Sequence, residues 1–233
     1  MQRLTDVRVS CVDLDVLAMR AGASCETLSP GELTRASSYC SARDRARFIA
    51  RRVALRDLLA AQLGCQAVDL VFAPGSNGKP ELDGELGGAV HFNCSHSSRL
   101  ALYALAQGRR VGIDVERVRP VAHLAEIGRR HFTAREWSVI DAGGPARRME
   151  LFFRAWTLKE AYLKATGEGL SRAPESVELS FARDGVPQLC AVDGDAGVAA
   201  HWASQTLAPA PGYVGGIVIE AHRRPAGGDI ARA

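Results

Sequence analysis

Residues 152–170 read FFRAWTLKEAYLKATGEGL, and this stretch decides the fold of the chain. Its apolar spacing predicts an amphipathic helix that ends in a glycine-rich turn. Because side chains four residues apart share a helix face, Trp156, Glu160 and Lys164 are predicted to lie along one side. Glu160 and Lys164 either form an ordinary surface ion pair beside a core tryptophan, or serve a site for a metal ion and phosphates. The stretch alone favours the ion pair, since such pairs are common on helices.

The composition is typical of a soluble globular protein. The 233 residues, of which 47% are hydrophobic and 24% charged, fit one large domain or two small ones. The formal net charge of +3 is too small to argue for bulk nucleic-acid binding. No apolar run approaches membrane-spanning length, and the first residues lack an apolar signal core. From the charge and the apolar runs, we expect a protein that binds neither nucleic acid nor membrane. The six cysteines show no metal-ligand spacing, so we expect reduced thiols in a cytoplasmic protein.

Cap and turn signals divide the chain into helices and strands. Ser29 and Pro30 predict a helix start, because a capping hydroxyl precedes proline at the first helical position. Helices are predicted at residues 30–39, 43–63, 123–131 and 146–166, and a capping box opens a further helix at Thr133. Strands are predicted at residues 7–12, 67–73, 90–98, 100–106, 110–116, 176–181, 188–192, 198–207 and 213–221. The polar tail from about Arg223 is expected to be disordered.

Residues 110–116, RVGIDVE, predict a buried strand with one acidic face. Alternation turns the valines and the isoleucine to one side and Gly112, Asp114 and Glu116 to the other. Two carboxylates this close repel each other unless a cation lies between them. They are either harmless acids at a solvent-facing edge or, with a third carboxylate, oxygen ligands for a hard cation such as Mg²⁺.

Segments upstream of the acids offer groups that suit an anion. The second predicted helix carries six arginines, which either form a solvated face or reach an anionic ligand. The turn PGSNGKP places Lys79 next to Pro80 at its end. Ser95 and His96 lie at a predicted strand–strand junction, where a phosphate could be bound. A lone histidine, however, more often makes only structural hydrogen bonds.

Together these segments resemble the 4′-phosphopantetheinyl transferases of the Sfp type. That family carries G-I-D-x-E and, some tens of residues later, W-[ST]-x-K-E-[AS]-x-x-K, both after G-K-P and N-x-S-H-S segments. The corresponding segments here are residues 112–116, 156–164, 78–80 and 93–97. Each segment is a weak signal alone, but four in the right order over roughly residues 30–170 form a specific one.

The resemblance implies an α+β fold of two similar halves in a pseudo-twofold arrangement. Each half would be a small antiparallel sheet packed on a long helix, with the active site in the cleft between the halves. The N-terminal half, with the coenzyme A adenine and phosphate contacts, is expected at residues 1–107. The C-terminal half, with the metal and catalytic residues, is expected at 108–222, before a disordered tail at 223–233. Both halves in one chain imply a monomer.

The resemblance also implies an activity. The family transfers phosphopantetheine from coenzyme A to a serine of an apo acyl or peptidyl carrier protein and releases adenosine 3′,5′-bisphosphate. Asp114, Glu116 and Glu160 would hold Mg²⁺, or Mn²⁺ in its place. Lys164 would contact the phosphate on the leaving side, and Glu160 or Glu116 would act as the base. Relatives of this length imply a role in secondary metabolism, in polyketide or nonribosomal peptide biosynthesis.

Coenzyme A contacts are implied for a further set of residues. With Asp114 and Lys164, the set consists of Arg35, Arg52, Lys79, Pro80, Ser95 and His96. Glu32 stands where some relatives have lysine, and Phe48 where some have a small hydroxyl residue, so Arg47 or Arg51 could take part in recognition of the 3′-phosphate.

The carrier protein is expected to dock beside the cleft, on the apolar segment 124–132. Because carrier helices are acidic, the expected contacts are the basic side chains near this segment: Arg117, Arg119, Arg129 and Arg130.

Two other functions remain open. A non-catalytic module of the same fold would bind coenzyme A or a carrier without turnover, but a pure binder has no need of the full set of acids and Lys164. A phosphohydrolase or nucleotidyl transferase would use the same acids, but the sequence lacks a Walker-type loop, an HD pair and a two-metal carboxylate cluster.

Overall fold

A computed structural model describes residues 6–20, 25–75 and 80–221 of the protein. The helices are α1 (Leu14–Arg20), α2 (Pro30–Ser37), α3 (Ala42–Leu63), α4 (Leu124–His131), α5 (Ala134–Asp141), α6 (Gly144–Thr166) and α7 (Ala196–Ala200). The strands are β1 (Val7–Asp13), β2 (Phe72–Pro74), β3 (Pro80–Leu82), β4 (His91–Ser97), β5 (Leu100–Ala106), β6 (Val111–Arg117), β7 (Val177–Phe181), β8 (Pro187–Val192), β9 (Trp202–Leu207) and β10 (Tyr213–Glu220).

Two three-stranded antiparallel sheets repeat one strand order, β1-β5-β4 in the first and β6-β10-β9 in the second. In each sheet the first strand lies at one edge, the last strand in the centre and the penultimate strand at the other edge. The predicted α+β fold with small antiparallel sheets is confirmed, and the repeated order supports two similar halves. The boundary at residues 107 and 108, between β5 and β6, stays a prediction.

Strand β5 shows how the layers stack. All seven of its residues are buried, as expected of a strand that is covered on both faces. On one face, Tyr103 and the residues two positions before and after it pack in a core with α3. Leu102, on the other face, packs against Ile113 and Ile217 in a core between the two sheets. Helix α6 covers the outer face of the second sheet through Leu158 and Val218. The layers are therefore α3, first sheet, second sheet and α6.

Helix α6 lies very close to the second sheet at two glycines. A Cβ atom built on Gly112 would lie 2.0 Å from the carbonyl oxygen of Ala161, and one on Gly216 would lie 2.7 Å from that of Thr157. Both distances are far below van der Waals contact, so any side chain at these positions would push the helix away. Because Gly216 is the cross-strand partner of Asp114, this close approach also brings α6 beside that carboxylate.

Cap residues explain where the prediction holds and where it is wrong. The capping box at Thr133 is confirmed, and α6 ends at Gly167 with φ 79°, a conformation that favours glycine. Two predicted strands begin as helix, since residues 67–69 form a 3₁₀ turn and residues 196–200 form α7, whose start is capped by Asp195. Helix α1 is absent from the predicted elements, although the carboxylate of Asp13 caps it.

Three further expectations concern membrane-spanning helices, the cysteines and the C-terminal tail. Among the described residues, no helix combines the length and apolar character that would be needed to cross a membrane. All six cysteines lie within the described ranges and are free, as predicted. The tail at 223–233 lies outside the described residues.

Substitution of Gly112 by alanine tests the close approach of α6. Because the new Cβ would collide with the backbone of Ala161, we expect the free energy of unfolding to fall by about 3 kcal/mol, measured by urea denaturation. Gly31→Ala is the matched control, since the nearest atom to its Cβ would be 4.0 Å away. Equal stability of the two variants would contradict the packing described here.

Candidate active site

A cavity of about 1060 Å³ opens between α2, α3, β4, β6 and α6. Nine of the ten predicted site residues line it: Arg35, Arg52, Pro80, Ser95, His96, Asp114, Glu116, Glu160 and Lys164. The tenth, Lys79, lies outside the described residues. Elements from both halves of the chain therefore converge on one cavity.

Helix α6 presents its predicted face to the cavity. Trp156, Glu160 and Lys164 all line it, as the four-residue spacing requires. The ion pair, however, differs from the simple prediction, because Lys164 Nζ lies 2.6 Å from Asp114 Oδ1 and donates to Ser95 Oγ at 3.2 Å. Glu160 Oε1 is buried and has no hydrogen-bond partner among the described residues.

Strand β4 turns three polar side chains toward β6, and we call this set, Asn93, Ser95 and Ser97, the polar ladder. Its bonds are Asn93 Oδ1 accepting from the Ile113 N–H at 2.8 Å, Ser95 Oγ donating to Asp114 Oδ1 at 2.6 Å, and Ser97 Oγ donating to Glu116 Oε2 at 2.6 Å. Strands β4 and β6 are edge strands of different sheets. The polar ladder therefore joins the two sheets by side chains and holds the acids of β6 from the first half.

The acids share a region with little solvent. Burial raises the pKa of Asp114, although Lys164 and Ser95 act in the opposite direction. Burial also raises the pKa of Glu160, where Lys164 lowers it and the charges of Asp114 and Glu116 raise it further. Among the described residues, Lys164 is a counter-charge to both Asp114 and Glu160, and a bound cation would further relieve the repulsion among the three carboxylates.

Each acid keeps one oxygen without a hydrogen bond from a described residue. Both bonds to Asp114 fall on Oδ1, and both bonds to Glu116 fall on Oε2. Glu160 Oε1 is the third such oxygen. Within the described ranges, no three His, Cys, Asp or Glu side chains are gathered into a ready-made metal site, and Lys164 supplies the counter-charge at Asp114. The donor chemistry nevertheless fits a hard cation such as Mg²⁺, which prefers carboxylate oxygens.

The opposite wall carries arginines, two of which are held by Glu32. Arg52 Nε lies 2.5 Å from Glu32 Oε1, and Arg56 Nη2 lies 2.7 Å from Oε2. Burial works to raise the pKa of Glu32, but hydrogen bonds from Arg56, the Ser29 amide and Arg52 outweigh it and keep the pKa below its usual range. The charge of Arg52 is therefore offset within the protein, by a residue that stands 20 positions earlier in the chain.

Two other arginines lie over the ring of Phe48, Arg35 at 5.7 Å and Arg51 at 5.4 Å from its centroid. Arg51 Nη1 also lies 2.8 Å from a ring nitrogen of His96. Burial, followed by the charge of Arg51, lowers the pKa of His96 to about 4, so the ring is neutral near pH 7 and can accept from the guanidinium. Phe48 therefore supports a basic wall where some relatives are expected to have a hydroxyl.

Lys159, the other lysine of the α6 motif, does not line the cavity. Its Nζ lies 2.9 Å from Glu136 Oε2, and each side chain is 1% exposed. Lys159 also donates to the carbonyl oxygen of Pro174, and Glu136 accepts from the Leu179 N–H. Burial lowers the pKa of Lys159 despite the nearby carboxylate. Glu136 was visible in the sequence only as a capping residue, because its partner lies on another helix.

Removal of Lys159 tests its structural role. Lys159→Met would leave the carboxylate of Glu136 buried without its counter-charge, so we expect the free energy of unfolding to fall by about 3–5 kcal/mol. Arg154→Met breaks the partly exposed Arg154–Glu150 pair on the same helix and should cost less than about 1 kcal/mol. Urea denaturation of both variants measures the difference, and similar losses would contradict a buried role for Lys159.

Comparisons with known proteins agree with these features. Residues 110–218, from β6 to β10, match the family model of the 4′-phosphopantetheinyl transferase superfamily. The chain is 39% identical over 156 residues to the 4′-phosphopantetheinyl transferase HetI of Nostoc sp., and the aligned residues cover 66% of this chain and 65% of that protein. It is 38% identical over 144 residues to a putative 4′-phosphopantetheinyl transferase of Synechocystis sp., and the aligned residues cover 62% of this chain and 58% of that protein.

A third relative carries the resemblance to the Sfp type. The chain is 29% identical over 158 residues to the 4′-phosphopantetheinyl transferase Sfp of Bacillus subtilis, which covers 68% of each protein. The chain spans less than two thirds of the length of the Nostoc and Synechocystis relatives. The family match contains both acids of β6 and the whole of α6. Residues 110–218 therefore match the 4′-phosphopantetheinyl transferase superfamily, and the chain is similar to proteins of that family.

Proposed function

We propose that the protein transfers phosphopantetheine from coenzyme A to a serine of an apo acyl or peptidyl carrier protein and releases adenosine 3′,5′-bisphosphate. The observation that carries the proposal is the single cavity in which Asp114, Glu116, Glu160 and Lys164 meet opposite a basic wall. The names of the relatives support it, since all three are described as 4′-phosphopantetheinyl transferases, one of them as putative.

Coenzyme A has a 3′-phosphate and a pyrophosphate, which call for cations at two places. Arg35 and Arg51, over Phe48, supply positive charge on one wall, and Lys164 supplies it beside the acids. The remaining proposed contacts are Arg52, Lys79, Pro80, Ser95, His96 and Asp114. We expect Arg52 to contribute less than Arg51, because Glu32 already offsets its charge.

Asp114, Glu116 and Glu160 would hold Mg²⁺, or Mn²⁺ in its place. The support is the buried oxygen of Glu160 without a partner and the oxygens of Asp114 and Glu116 that receive no described hydrogen bond. When bound, the cation would neutralise charge on the pyrophosphate and orient it.

The remaining chemical roles are assigned to side chains of the cavity. The acceptor serine oxygen bonds to the phosphorus of the pantetheine phosphate as the bond from that phosphorus to the leaving nucleotide breaks. Glu160 would accept the serine proton, because burial raises its pKa and one of its oxygens has no described partner. Glu116 is the weaker candidate, since Ser97 and Arg119 both donate to it. The ammonium of Lys164 would stabilise the negative charge that grows on the leaving phosphate.

The wider setting is also proposed. Both halves of the cavity come from one chain, so a monomer contains all of the proposed site. The resemblance to the Sfp type is the basis for two further proposals. They are a cytoplasmic location and a role in polyketide or nonribosomal peptide biosynthesis.

The proposed docking surface for the carrier protein no longer includes an apolar face. Within segment 124–132, Leu124 and Phe132 belong to the core, so they are not an apolar docking face. Arg129 and Arg130 are exposed at the end of α4. We therefore propose that these two arginines, with Arg117 and Arg119, attract the acidic helices of a carrier protein.

Mass spectrometry of a carrier protein tests the activity. The apo carrier should gain one phosphopantetheine unit after incubation with the protein, coenzyme A and Mg²⁺. Glu160→Gln should slow transfer by at least roughly a hundredfold, since it removes the proposed base, and thermal denaturation should show a folded protein. Glu150→Gln, on an exposed part of the same helix, is the control. No gain of mass on several carriers would count against the activity.

Reversal of charge on α4 tests the docking surface. Arg129→Glu with Arg130→Glu should raise the KM for the carrier roughly tenfold at low salt, because the electrostatic attraction is lost, and leave the KM for coenzyme A unchanged. Arg183→Glu, at an exposed site in the turn between β7 and β8, should change neither. An unchanged KM for the carrier in the double variant would remove this surface from consideration.

A further inference from the structure

Ser97 stands at a rigid point of the fold. It is the last residue of β4 and pairs with Leu100 across a two-residue turn. The first turn residue, Ser98, has φ 54°, which fits the tight connection between two antiparallel strands. The backbone that carries Ser97 is therefore held by the β4–β5 ladder at a short distance from the acids.

Among the described residues, Glu116 is the acceptor for the hydroxyl hydrogen of Ser97. Its oxygen accepts the N–H of Arg117 at 3.1 Å and lies 2.6 Å from Glu116 Oε2. A hydroxyl donates one hydrogen, and the amide of Arg117 cannot accept it. The hydroxyl therefore donates to Glu116 and restrains the orientation of that carboxylate.

Arg119 is the other partner of Glu116, and it is a weaker restraint. Its Nη1 lies 3.2 Å from the same Oε2 atom, and its side chain is 56% exposed. An exposed pair of this kind contributes little and is screened by salt. Both partners bind Oε2, so Oε1 is left for a ligand. Ser97 is therefore the stronger restraint on this carboxylate, which lines the cavity.

Ser95 shows the same arrangement one ladder step earlier. Its oxygen accepts from Lys164 Nζ, so its hydrogen is directed to Asp114. The first half of the chain therefore orients both acids of β6 through alternate hydroxyl groups of one strand. Side chains that hold the ligands of a metal in this way commonly change metal affinity 10- to 100-fold when removed.

We propose that Ser97 is a positioning residue for cation binding, which acts by holding Glu116. This inference rests on the proposed function, since that function assigns a cation to Glu116. It predicts that the loss of the Ser97 hydroxyl weakens cation binding without loss of the fold.

Binding of Mn²⁺ to the whole chain tests the proposal directly, with free Mn²⁺ measured by electron paramagnetic resonance. Ser97→Ala should weaken Mn²⁺ binding by about tenfold or more, and Ser97→Thr should restore it, because threonine keeps the hydroxyl and suits a strand. Ser10→Ala, on β1 of the same sheet, should bind as the wild type does. Wild-type affinity in Ser97→Ala, or no Mn²⁺ binding by the wild type, would overturn the proposal.

Transfer assays separate positioning from a general structural role. With coenzyme A saturating, Ser97→Ala should need about tenfold more Mg²⁺ for half-maximal transfer and regain a near wild-type rate at high Mg²⁺. A loss that added Mg²⁺ does not restore would overturn the positioning role. The two proposals fail separately: transfer with unchanged Mn²⁺ affinity would remove only the role of Ser97, whereas Mn²⁺ binding without transfer would remove only the activity.

Discussion

The close contact between α6 and the second sheet is the constraint on which the site depends. Gly112 and Gly216 have no side chains, so the helix backbone rests against β6 and β10. At this distance the helix has little freedom to rotate or slide, because its own carbonyl oxygens face the strands. The 2.6 Å contact between Lys164 and Asp114 is a result of this packing. The geometry of the charged groups is therefore set by residues that carry no charge.

Successive residues of α6 serve opposite purposes. Lys159 points into the core and pairs with Glu136, whereas Glu160 and Lys164 point into the cavity. Neighbours on an α-helix differ by about 100° in direction, so one turn can satisfy both needs. A buried ion pair is weak support for overall stability, but this one joins α6 to α5 inside the core. The core pair and the cavity residues are thus parts of one arrangement.

Local geometry explains what could be predicted from the sequence. The four-residue spacing along α6 and the alternation along β6 give the faces of Glu160 and Asp114, because each depends only on its own element. The partners of those groups come from distant positions. Nothing in the sequence joins Ser97 to the acids of β6, and Arg52 looks available for a ligand until the packing of α2 brings Glu32 against it. Helix α7, an apolar run of alanine, glycine and valine, resembles a strand until its cap at Asp195 is recognised.

The polar ladder has a consequence for the assembly of the chain itself. Strands β4 and β6 each end a sheet, and an uncovered strand edge recruits strands from other molecules. Here the amide groups of Ile113 and Arg117 are occupied by side chains of Asn93 and Ser97, so two donors on the edge of β6 are already bonded. If the two sheets came apart, each would expose a bare edge, and the second would also expose a buried acid. The polar ladder that holds the acids therefore also covers part of a strand edge that could otherwise pair with another chain.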